Sequence, residues 1–595
     1  MKTALPNPIP ERLIARWHAV RLNPFNAVSA LIGLSFAGLA AYPLLMVGVR
    51  LFWDGKSFNP SPIVKTATLP ALYTILADTA IVVTASVMLA LILGGLLAWI
   101  NERTDARLGV ITDAMPLINL VLPSIAGAIG WVLLLSPTAG YLNWITRQGL
   151  GLFGVEMSTG PFAIHSWGGL ILVYTLQMVP FAFLALSVGL RNLEGSLEEQ
   201  AKVCGATTSR VLFTVTIPAL LPSVGAASFL LVWVGLATVS VPIIIAPPAN
   251  IEILSVSIVR YLSYVYPPEI DLAVGLGAFI VVVLGAIWYV QGRFLRKQRF
   301  STLGGKTTQA RPIELGRWRF VALLFIFGYA MISVVLPIGA LVLVSLHGFW
   351  TVDIEWGRLS LDAFRRTVID DTVTARALRN SVTLSLLGAT IGVAVAAVVA
   401  LWVFRSASTM SRVIDAAIKF PGTVSSLVLA VGIVLAFGGP PFVLGGTIWI
   451  LLIAYVVMSL PEGSVLADSS VSQIGRELSE ASSVAGAGDG RTFVKIYVPL
   501  MIPGLIAAWA LLFVRMVGDI NASSILASSS NTVVGFRILE IYTYGSIARM
   551  AALATALTGI SCVVVIVSLA LSRRWSRWAR PNQRQPDASA IAEAA

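Results

Sequence analysis

The sequence predicts an all-α protein that crosses a membrane about twelve times, as two six-helix halves that repeat in parallel. Three observations predict this fold. Of the 595 residues, 57% are hydrophobic and 12% are charged, whereas soluble domains carry about twice that charged fraction. The apolar residues are gathered into long uncharged runs, each at least as long as the ~20 residues that a helix needs to cross a bilayer. The third observation is a set of residues that recurs at one fixed offset along the chain.

The uncharged runs predict the helices. The first run follows several arginines, as a secretory signal would, but it is too long and has no small-residue cleavage pattern. A first spanning helix is therefore expected there. About twelve helices are predicted, near residues 27–49, 74–100, 111–135, 167–190, 219–246, 270–292, 319–346, 379–404, 417–438, 444–463, 503–528 and 550–572.

The recurring set contains five proline, glutamate and glycine residues, each of which reappears 281 positions later (461 − 180 for the first pair). The pairs are Pro180 and Pro461, Glu199 and Glu480, Gly205 and Gly486, Pro218 and Pro499, and Pro222 and Pro503. Similarity at a fixed offset is the mark of a duplicated unit. Because an even number of helices, six, separates corresponding points, both halves are expected to run in the same direction.

A basic stretch that contains glycine and proline separates the two halves and has no apolar periodicity. It is interpreted as a cytoplasmic linker. The predicted domains are a first transmembrane half at 1–292 with a loop near 191–218, the linker at 293–318, a second transmembrane half at 319–574 with a loop near 464–499, and a cytoplasmic tail at 575–595.

The formal net charge is +12, from 41 basic and 29 acidic residues. The basic residues concentrate in short stretches between the apolar runs, with the densest at 293–319. Because basic loops stay on the cytoplasmic side of a membrane, both chain ends are expected in the cytoplasm. Nucleic-acid binding is the other explanation of a basic chain, and this distribution disfavours it.

Each half carries a segment in which a glutamate is followed by a glycine and then by a proline at the same spacing. These segments resemble the EAA loop of type I binding-protein-dependent ABC importer permeases. The resemblance covers nearly the whole chain, and departures such as Gln200 and Ser482 for alanine roughly keep size or polarity. The matching residues are Glu199, Ala201, Gly205 and Pro218 in the first segment and Glu480, Ala481, Gly486 and Pro499 in the second.

The residue types in these segments suit a short helix that ends in a sharp turn. Glycine takes backbone angles that other residues avoid, so Gly205 and Gly486 permit the turn. Proline is tolerated in the first turn of a helix, which is where Pro218 and Pro499 are expected. In the resembled family this short helix docks on an ATPase subunit and couples its closure to the membrane helices. The alternative is an ordinary charged loop between helices.

No nucleotide-binding motif is present in the sequence. The stretch Gly304-Gly305-Lys306-Thr307 looks like the end of a phosphate-binding loop, but Phe300 stands where that loop needs its first glycine. ATP hydrolysis is therefore expected on separate subunits, and the chain is not expected to be an enzyme. The stretches between the spans are too short for a solute-binding domain, so that partner too is expected to be a separate protein.

Metal and cofactor chemistry finds no support in the sequence. Two cysteines, Cys204 and Cys562, cannot form a disulfide framework or a metal cluster. The three histidines are scattered along the chain. No cofactor is expected, and no cluster of cysteine, histidine and carboxylate suggests a metal cage.

Two charged residues, Arg515 and Asp519, interrupt an apolar stretch from Ala507 to Leu526. On one continuous helix they would share a face, because they are four residues apart. Charges at membrane depth are costly and normally meet a partner or a cavity. Two roles stay open: a pair that holds the helix in register, or a part of the translocation path or gate.

The cargo is indicated by resemblance alone. The stretch from Gly130 and Trp131 through Pro137 and Gly140 to Asn143 resembles the ferric-iron branch of fused permeases. That branch is close to those for thiamine, phosphonates and polyamines, so these cargoes stay open. Ferric iron would arrive held by its binding protein.

The sequence as a whole predicts a permease of the bacterial inner membrane. The resemblance implies two cytoplasmic ATP-binding subunits, one extracytoplasmic solute-binding protein and alternating access driven by ATP. Two other classes are weighed: a secondary carrier driven by an ion gradient, which would lack paired EAA loops, and a membrane enzyme, which would need clustered ionisable groups.

Overall fold

The computed structural model describes residues 24–193, 195–297, 312–406, 408–472, 474, 481–482, 484–486 and 489–578. Within these residues the protein is helical, and its only β-type pairs are two isolated bridges, Trp53 with Phe58 and Thr104 with Ile313. The main helices are α1 Pro24–Arg50, α2 Leu72–Arg103, α3 Ser124–Leu135, α4 Trp167–Asn192, α5 Ile217–Ala237, α6 Ile270–Lys297, α7 Trp318–His347, α8 Thr372–Ser406, α9 Ser426–Phe437, α10 Ile448–Ser472, α11 Val498–Val517 and α12 Ile547–Trp578.

Shorter elements connect the main helices. The short α-helices are Ser61–Ala67, Val110–Ala114, Tyr141–Gly151, Gly195–Val203, Thr208–Val211, Pro242–Ile245, Leu254–Val259, Asp362–Arg365, Thr409–Lys419, Asp489–Thr492, Ser523–Leu526 and Val534–Thr543. Short 3₁₀ helices lie at Met115–Val121, Pro247–Ala249, Trp356–Arg358 and Phe420–Thr423. Wider π turns lie at Leu212–Thr216, Arg260–Tyr264, Arg366–Asp370 and Phe493–Tyr497, and a further π turn, Met331–Val335, lies within α7.

Ten helices in the described part of the chain are long and apolar enough to cross a membrane, and two bent pairs bring the number to as many as twelve. The predicted all-α, polytopic fold is therefore confirmed. The third span of each half is not the straight helix that was predicted. The chain bends by 89° between Ile111–Val121 and α3, and by 109° between Thr409–Thr423 and α9. In the first pair Pro123 stands at the break in an extended conformation, and proline ends a helix because it has no N–H to donate.

Several other predicted helix boundaries are wrong, among them the start of α8 at Thr372 and the end of α10 at Ser472. The spans predicted to run to residues 246 and 528 end at Ala237 and Val517, and each is followed by a separate helical turn. Helices α6 and α12 continue to Lys297 and Trp578, beyond the predicted 292 and 572. Residues 298–311 and 579–595, which hold most of the predicted linker and tail, are not among those described, so these two domain assignments stay predictions.

The helices fall into a first set, α1–α6, and a second set, α7–α12. The 281-residue offset found in the sequence also relates elements of the two sets. The elements that begin at Trp167, Thr208, Leu212, Ile217 and Pro242 have counterparts that begin at Ile448, Asp489, Phe493, Val498 and Ser523. Each counterpart starts 281 positions later, as in 448 − 167. The sets differ most in one loop, which spans 136–166 in the first set and only 438–447 in the second.

The first helix of each set packs against the other set. Helix α1 lies on α9, and α7 lies on α3. At both crossings a proline meets a glycine. A Cβ added to Gly130 would lie 2.7 Å from the Cβ of Pro337, and one added to Gly432 would lie 2.6 Å from the carbonyl oxygen of Pro43. Only glycine allows this approach, so the two sets interlock at two equivalent points.

Proline inside a membrane helix leaves a carbonyl without its usual partner, and the structure supplies replacements. Pro180 has no N–H to donate to the carbonyl of Leu176. That oxygen accepts instead from Nδ2 of Asn119 at 2.8 Å and from the hydroxyl of Tyr329 at 3.3 Å. Because Tyr329 belongs to the second set, this backbone repair also joins the two sets.

Adding one methyl group at either crossing tests the interlock. Gly130→Ala and Gly432→Ala are each expected to lower the free energy of unfolding by about 1–3 kcal/mol, because the new methyl group overpacks a rigid backbone contact. Thermal unfolding of the purified protein in detergent measures the change. Gly38→Ala in α1 and Gly339→Ala in α7 are matched controls, since nothing lies within 4 Å of an added Cβ there. Equal melting temperatures for all four variants would contradict the interlock.

Candidate functional site: paired segments at one face of the helical bundle

The first segment runs from the end of α4 to the start of α5. Its helix, Gly195–Val203, ends two residues before Gly205, whose φ is +84°. The N–H of Gly205 donates to the carbonyl of Lys202 at 2.9 Å, and the N–H of Ala206 donates to the carbonyl of Ala201 at 3.0 Å. This is a Schellman turn, which glycine favours because it has no Cβ. The glycine therefore redirects the chain sharply.

A second short helix and a π turn lead from this glycine into α5. Thr207 caps the helix Thr208–Val211 by accepting a hydrogen bond from the N–H of Arg210. The π turn Leu212–Thr216 follows, and Pro218 is the second residue of α5. A π turn widens the helix ahead of a proline, which removes the clash between the ring and the preceding turn.

The second segment repeats this arrangement where it is described. Gly486 has a φ of +74°. The short helix Asp489–Thr492, the π turn Phe493–Tyr497 and the proline Pro499 at the start of α11 follow in the same order. The hydroxyl groups of Ser482 and Thr492 lie 2.8 Å apart and tie the two arms of the turn together.

The predicted site residues of these segments differ in exposure. Glu199, Gly205 and Pro218 are exposed in the first segment, and Ala201 is half-buried. In the second segment Ala481 and Gly486 are exposed and Pro499 is half-buried. Glu480 falls outside the residues that the structure describes.

An exposed valine stands two residues before each glycine, and sequence reasoning missed it. Val203 is 88% exposed and Val484 is 90% exposed. The two valines are counterparts at the 281-residue offset, so the signal was present in the repeat. The two exposed valines are therefore equivalent features of the two segments.

A buried ion pair anchors the first segment to the bundle. Glu198 and Arg103 are each 5% exposed, and the guanidinium of Arg103 lies 3.2 Å from the carboxylate of Glu198. Arg103 also donates to the carbonyl of Leu190 at 2.8 Å, and the hydroxyl of Thr216 donates to Glu198 at 2.9 Å. This ion pair therefore joins the ends of α2 and α4, the short helix and the π turn.

The described ends of α1 and α12, and Ile313 at the beginning of the described residues 312–406, lie near these segments. Ile313 pairs with the end of α2, since its N–H donates to the carbonyl of Arg103 at 2.8 Å. The indole N–H of Trp575 donates to the carbonyl of Pro499 at 2.9 Å. Phe25 lies 5.4 Å from Phe493, measured between ring centroids. The described ends of α1 and α12 are therefore on the same face as the segments.

The predicted arrangement of Arg515 and Asp519 is wrong. Helix α11 ends at Val517, and Gly518 turns the chain, so the two residues do not share a helix face. Arg515 pairs with Glu462 of α10 instead. The carboxylate of Asp519 accepts from the N–H of Ala522 at 2.9 Å and so caps the next helical turn.

Metal-binding groups are sparse in the part of the chain that is described. It contains no group of three or more histidine, cysteine, aspartate or glutamate residues placed to hold a metal ion. Cys204 is exposed and Cys562 is half-buried, and neither forms a disulfide.

Comparison with known proteins decides the family. Residues 388–580 match the family described as "Binding-protein-dependent transport system inner membrane component". The ferric transport system permease protein FbpB of Actinobacillus pleuropneumoniae is 22% identical over 512 residues, which are 84% of this chain and 71% of the relative. The chain is an ABC importer permease. The resemblance to this family that the two EAA-like segments predicted is confirmed.

The names of other relatives of the permease refer to iron or to polyamines. The Fe(3+)-transport system permease protein FbpB 2 of Haemophilus influenzae is 24% identical over 64% of this chain and 71% of its own length. The spermidine/putrescine transport system permease protein PotC of the same organism is 25% identical over 37% of this chain and 85% of its own length. A solved bacterial ABC transporter that imports alginate matches 43% of the permease with a TM-score of 0.35 and 16% identity. As a multi-pass importer subunit, the permease belongs to the inner membrane.

Removing one partner of the buried ion pair tests its anchoring role. Arg103→Met is expected to lower the free energy of unfolding by about 3–5 kcal/mol, because it strands the carboxylate of Glu198 in the bundle. Arg103→Met combined with Glu198→Met is expected to recover most of that loss. Thermal unfolding and folded yield of the purified permease measure both variants. Glu199→Gln, at the exposed neighbouring glutamate, is the control and should change stability by no more than about 0.5 kcal/mol. An Arg103→Met protein as stable as the wild type would rule out the anchor.

Proposed function

We propose that the permease moves a small solute, ferric iron foremost, from an extracytoplasmic binding protein into the cytoplasm. Two separate cytoplasmic subunits hydrolyse ATP and dock on the paired segments. The observation that carries the proposal is the repeated geometry: each segment has a sharp turn at a glycine, Gly205 or Gly486, with positive φ. An exposed valine precedes each glycine, and a helix leads directly from the turn into the membrane.

Each segment is built to transmit movement into the bundle. The first segment continues into α5, which packs on α2 and α4, and the second continues into α11, which packs on α8 and α10. The buried carboxylate of Glu198 adds a second link, from the short helix to the end of α2. Closure of the ATPase subunits draws the two segments together, and the helices attached to them reopen the pathway on the opposite side.

The side of the membrane follows from charge. Basic residues concentrate at the ends of the helices that meet the paired segments, as in Arg103 and Arg107, and basic loops stay in the cytoplasm. The contacts that gather the ends of α1 and α12 near the segments support a cytoplasmic position for both chain ends. The binding protein then docks at the other face.

The choice of iron rests on the relatives. The ferric and Fe(3+) permeases match both helix sets, whereas the spermidine/putrescine permease matches 37% of the chain. Iron is therefore the first cargo to test, and polyamines, phosphonates and thiamine are the competing cargoes.

Reversing the charge of both motif glutamates tests the docking role. Glu199→Arg with Glu480→Arg is expected to abolish the ATPase stimulation that the loaded binding protein produces, because two cations replace two anions at the contact. ATP hydrolysis by the complex in proteoliposomes, with and without binding protein, measures this. Glu314→Arg makes the same kind of charge change at an exposed glutamate outside both segments and away from the face where the binding protein docks, and stimulation should survive there. Normal stimulation in the Glu199 and Glu480 variant would refute docking at these segments.

Uptake measurements test the cargo. Deleting the permease is expected to lower uptake of radioactive ferric iron by whole cells, and the intact gene should restore it. The binding protein encoded beside the permease should carry Fe³⁺ when purified, as metal analysis would show. A polyamine, phosphonate or thiamine found in that protein would reject iron as the cargo.

A further inference from the structure

Helices α4 and α10 carry matching stripes of incompletely buried side chains. The positions are one turn apart, so each stripe lies on one helix face. The stripe of α4 contains Gln177, Phe181, Leu184 and Val188, and the stripe of α10 contains Met458, Glu462, Val465 and Ser469. Each residue of the second stripe is the counterpart of one in the first at the 281-residue offset. The stripes are therefore equivalent surfaces of the two helix sets.

Arg515 of α11 contacts both stripes at equivalent positions. Its guanidinium donates to the carboxylate of Glu462. The same guanidinium lies over the ring of Phe181, with its carbon 5.8 Å from the ring centroid. Glu462 follows Pro461 in the second set, and Phe181 follows Pro180 in the first. Arg515 thus bridges the two sets, by an ion pair within its own set and a cation–π contact to the other.

The exposure of these charges shows what the stripes face. The side chain of Arg515 is 42% exposed and that of Glu462 is 26% exposed. Glu462 and Phe181 lie near the middle of two helices long enough to span the membrane. Incompletely buried charges at that depth face an aqueous gap rather than lipid, because lipid exposure is costly. The gap between α4 and α10 is therefore a water-accessible space between the two sets.

We propose that Phe181, Arg515 and Glu462 form the gate at which the two helix sets close the transport pathway. The proposal rests on the proposed function in one respect, since it takes the gap between the sets as the route of the solute. Glu462 holds Arg515 in place, and Arg515 meets the ring of Phe181 across the gap. When α4 and α11 move apart, the cation–π contact between the sets breaks. The ion pair stays intact because both of its members belong to the second set.

A leak measurement tests the gate. Phe181→Ala removes the contact across the gap without leaving a charge unpaired. In proteoliposomes that hold the permease with its ATPase subunits and no ATP, passive potassium leak is expected to rise roughly 2- to 30-fold, the factor by which losing a cation–π contact shifts a closed state toward an open one. Phe181→Trp keeps an aromatic ring and should stay as tight as the wild type. Leu172→Ala, on the opposite face of α4, is the matched control and should not leak.

Crosslinking gives a second measurement that does not depend on leak. Phe181→Cys and Arg515→Cys are combined with Glu462→Gln, so that no charge is stranded, and Cys204 and Cys562 are replaced by serine. A short bifunctional thiol reagent is expected to join the two introduced cysteines in the nucleotide-free complex and to stop transport. Trapping the ATP-bound state should lower the crosslinking yield.

The outcomes separate the gate from the proposed function. A Phe181→Ala protein that leaks no more than the wild type overturns the gate, as does a crosslinked permease that still transports. Neither result counts against docking at the paired segments, because the leak is measured without ATP and continued transport after crosslinking requires that the ATPase subunits still dock. Loss of docking in the Glu199 and Glu480 test would in turn leave the leak measurement unaffected.

Discussion

Two close contacts between a proline and a glycine hold the permease together. Because α1 lies on α9 and α7 lies on α3, neither set of six helices completes its own packing. The contacts of Gly130 with Pro337 and of Gly432 with Pro43 leave no space for a methyl group. These crossings hold the bent third spans in place, and they set α4 and α10 opposite each other across the gap. A rigid frame of this kind lets two attached helices move while the outer helices stay in register.

The bilayer explains why the irregular parts of the backbone are so well supported. Every backbone group at membrane depth needs a partner within the protein. The carbonyl of Leu176, freed by Pro180, is satisfied by Asn119 and Tyr329. The prolines Pro218 and Pro499 follow π turns that widen the helix ahead of them. Breaks in helices therefore occur where side chains or altered turns compensate for them, which allows hinges next to the paired segments.

Much of the fold could be predicted from the sequence because each membrane-spanning helix corresponds to a long apolar run of residues. Most helix ends lie within a few residues of the prediction. The bends before α3 and α9 could not be predicted in this way, because the hydropathy of a segment does not indicate the direction in which its helix runs. The assignment of Asp519 to α11 failed for a related reason, since Gly518 ends the helix within an apolar stretch.

Only part of the candidate site could be predicted from the sequence. The repeat identified the glycines and prolines of both segments, because turn geometry is encoded locally. It did not identify Glu198 as the buried acid, because Glu198 is paired in the bundle with Arg103, a residue far away in the sequence. It also gave Arg515 the wrong partner, because Glu462 is on another helix. Tertiary pairings of this kind leave no periodic signal along the chain.

The covalent union of the two helix sets has a consequence for how such a protein can diversify. In a symmetric pair of identical chains, any substitution at the position of Glu462 would appear twice, and two carboxylates would confront and repel each other across the axis. One polypeptide removes that restriction, so an aromatic ring at Phe181 stands opposite an acid at Glu462. Duplication followed by fusion thus freed each copy to specialise, one as the charged partner and the other as its neutral surface. Because both copies belong to one polypeptide, they are always present in a one-to-one ratio, and the two roles are inherited together.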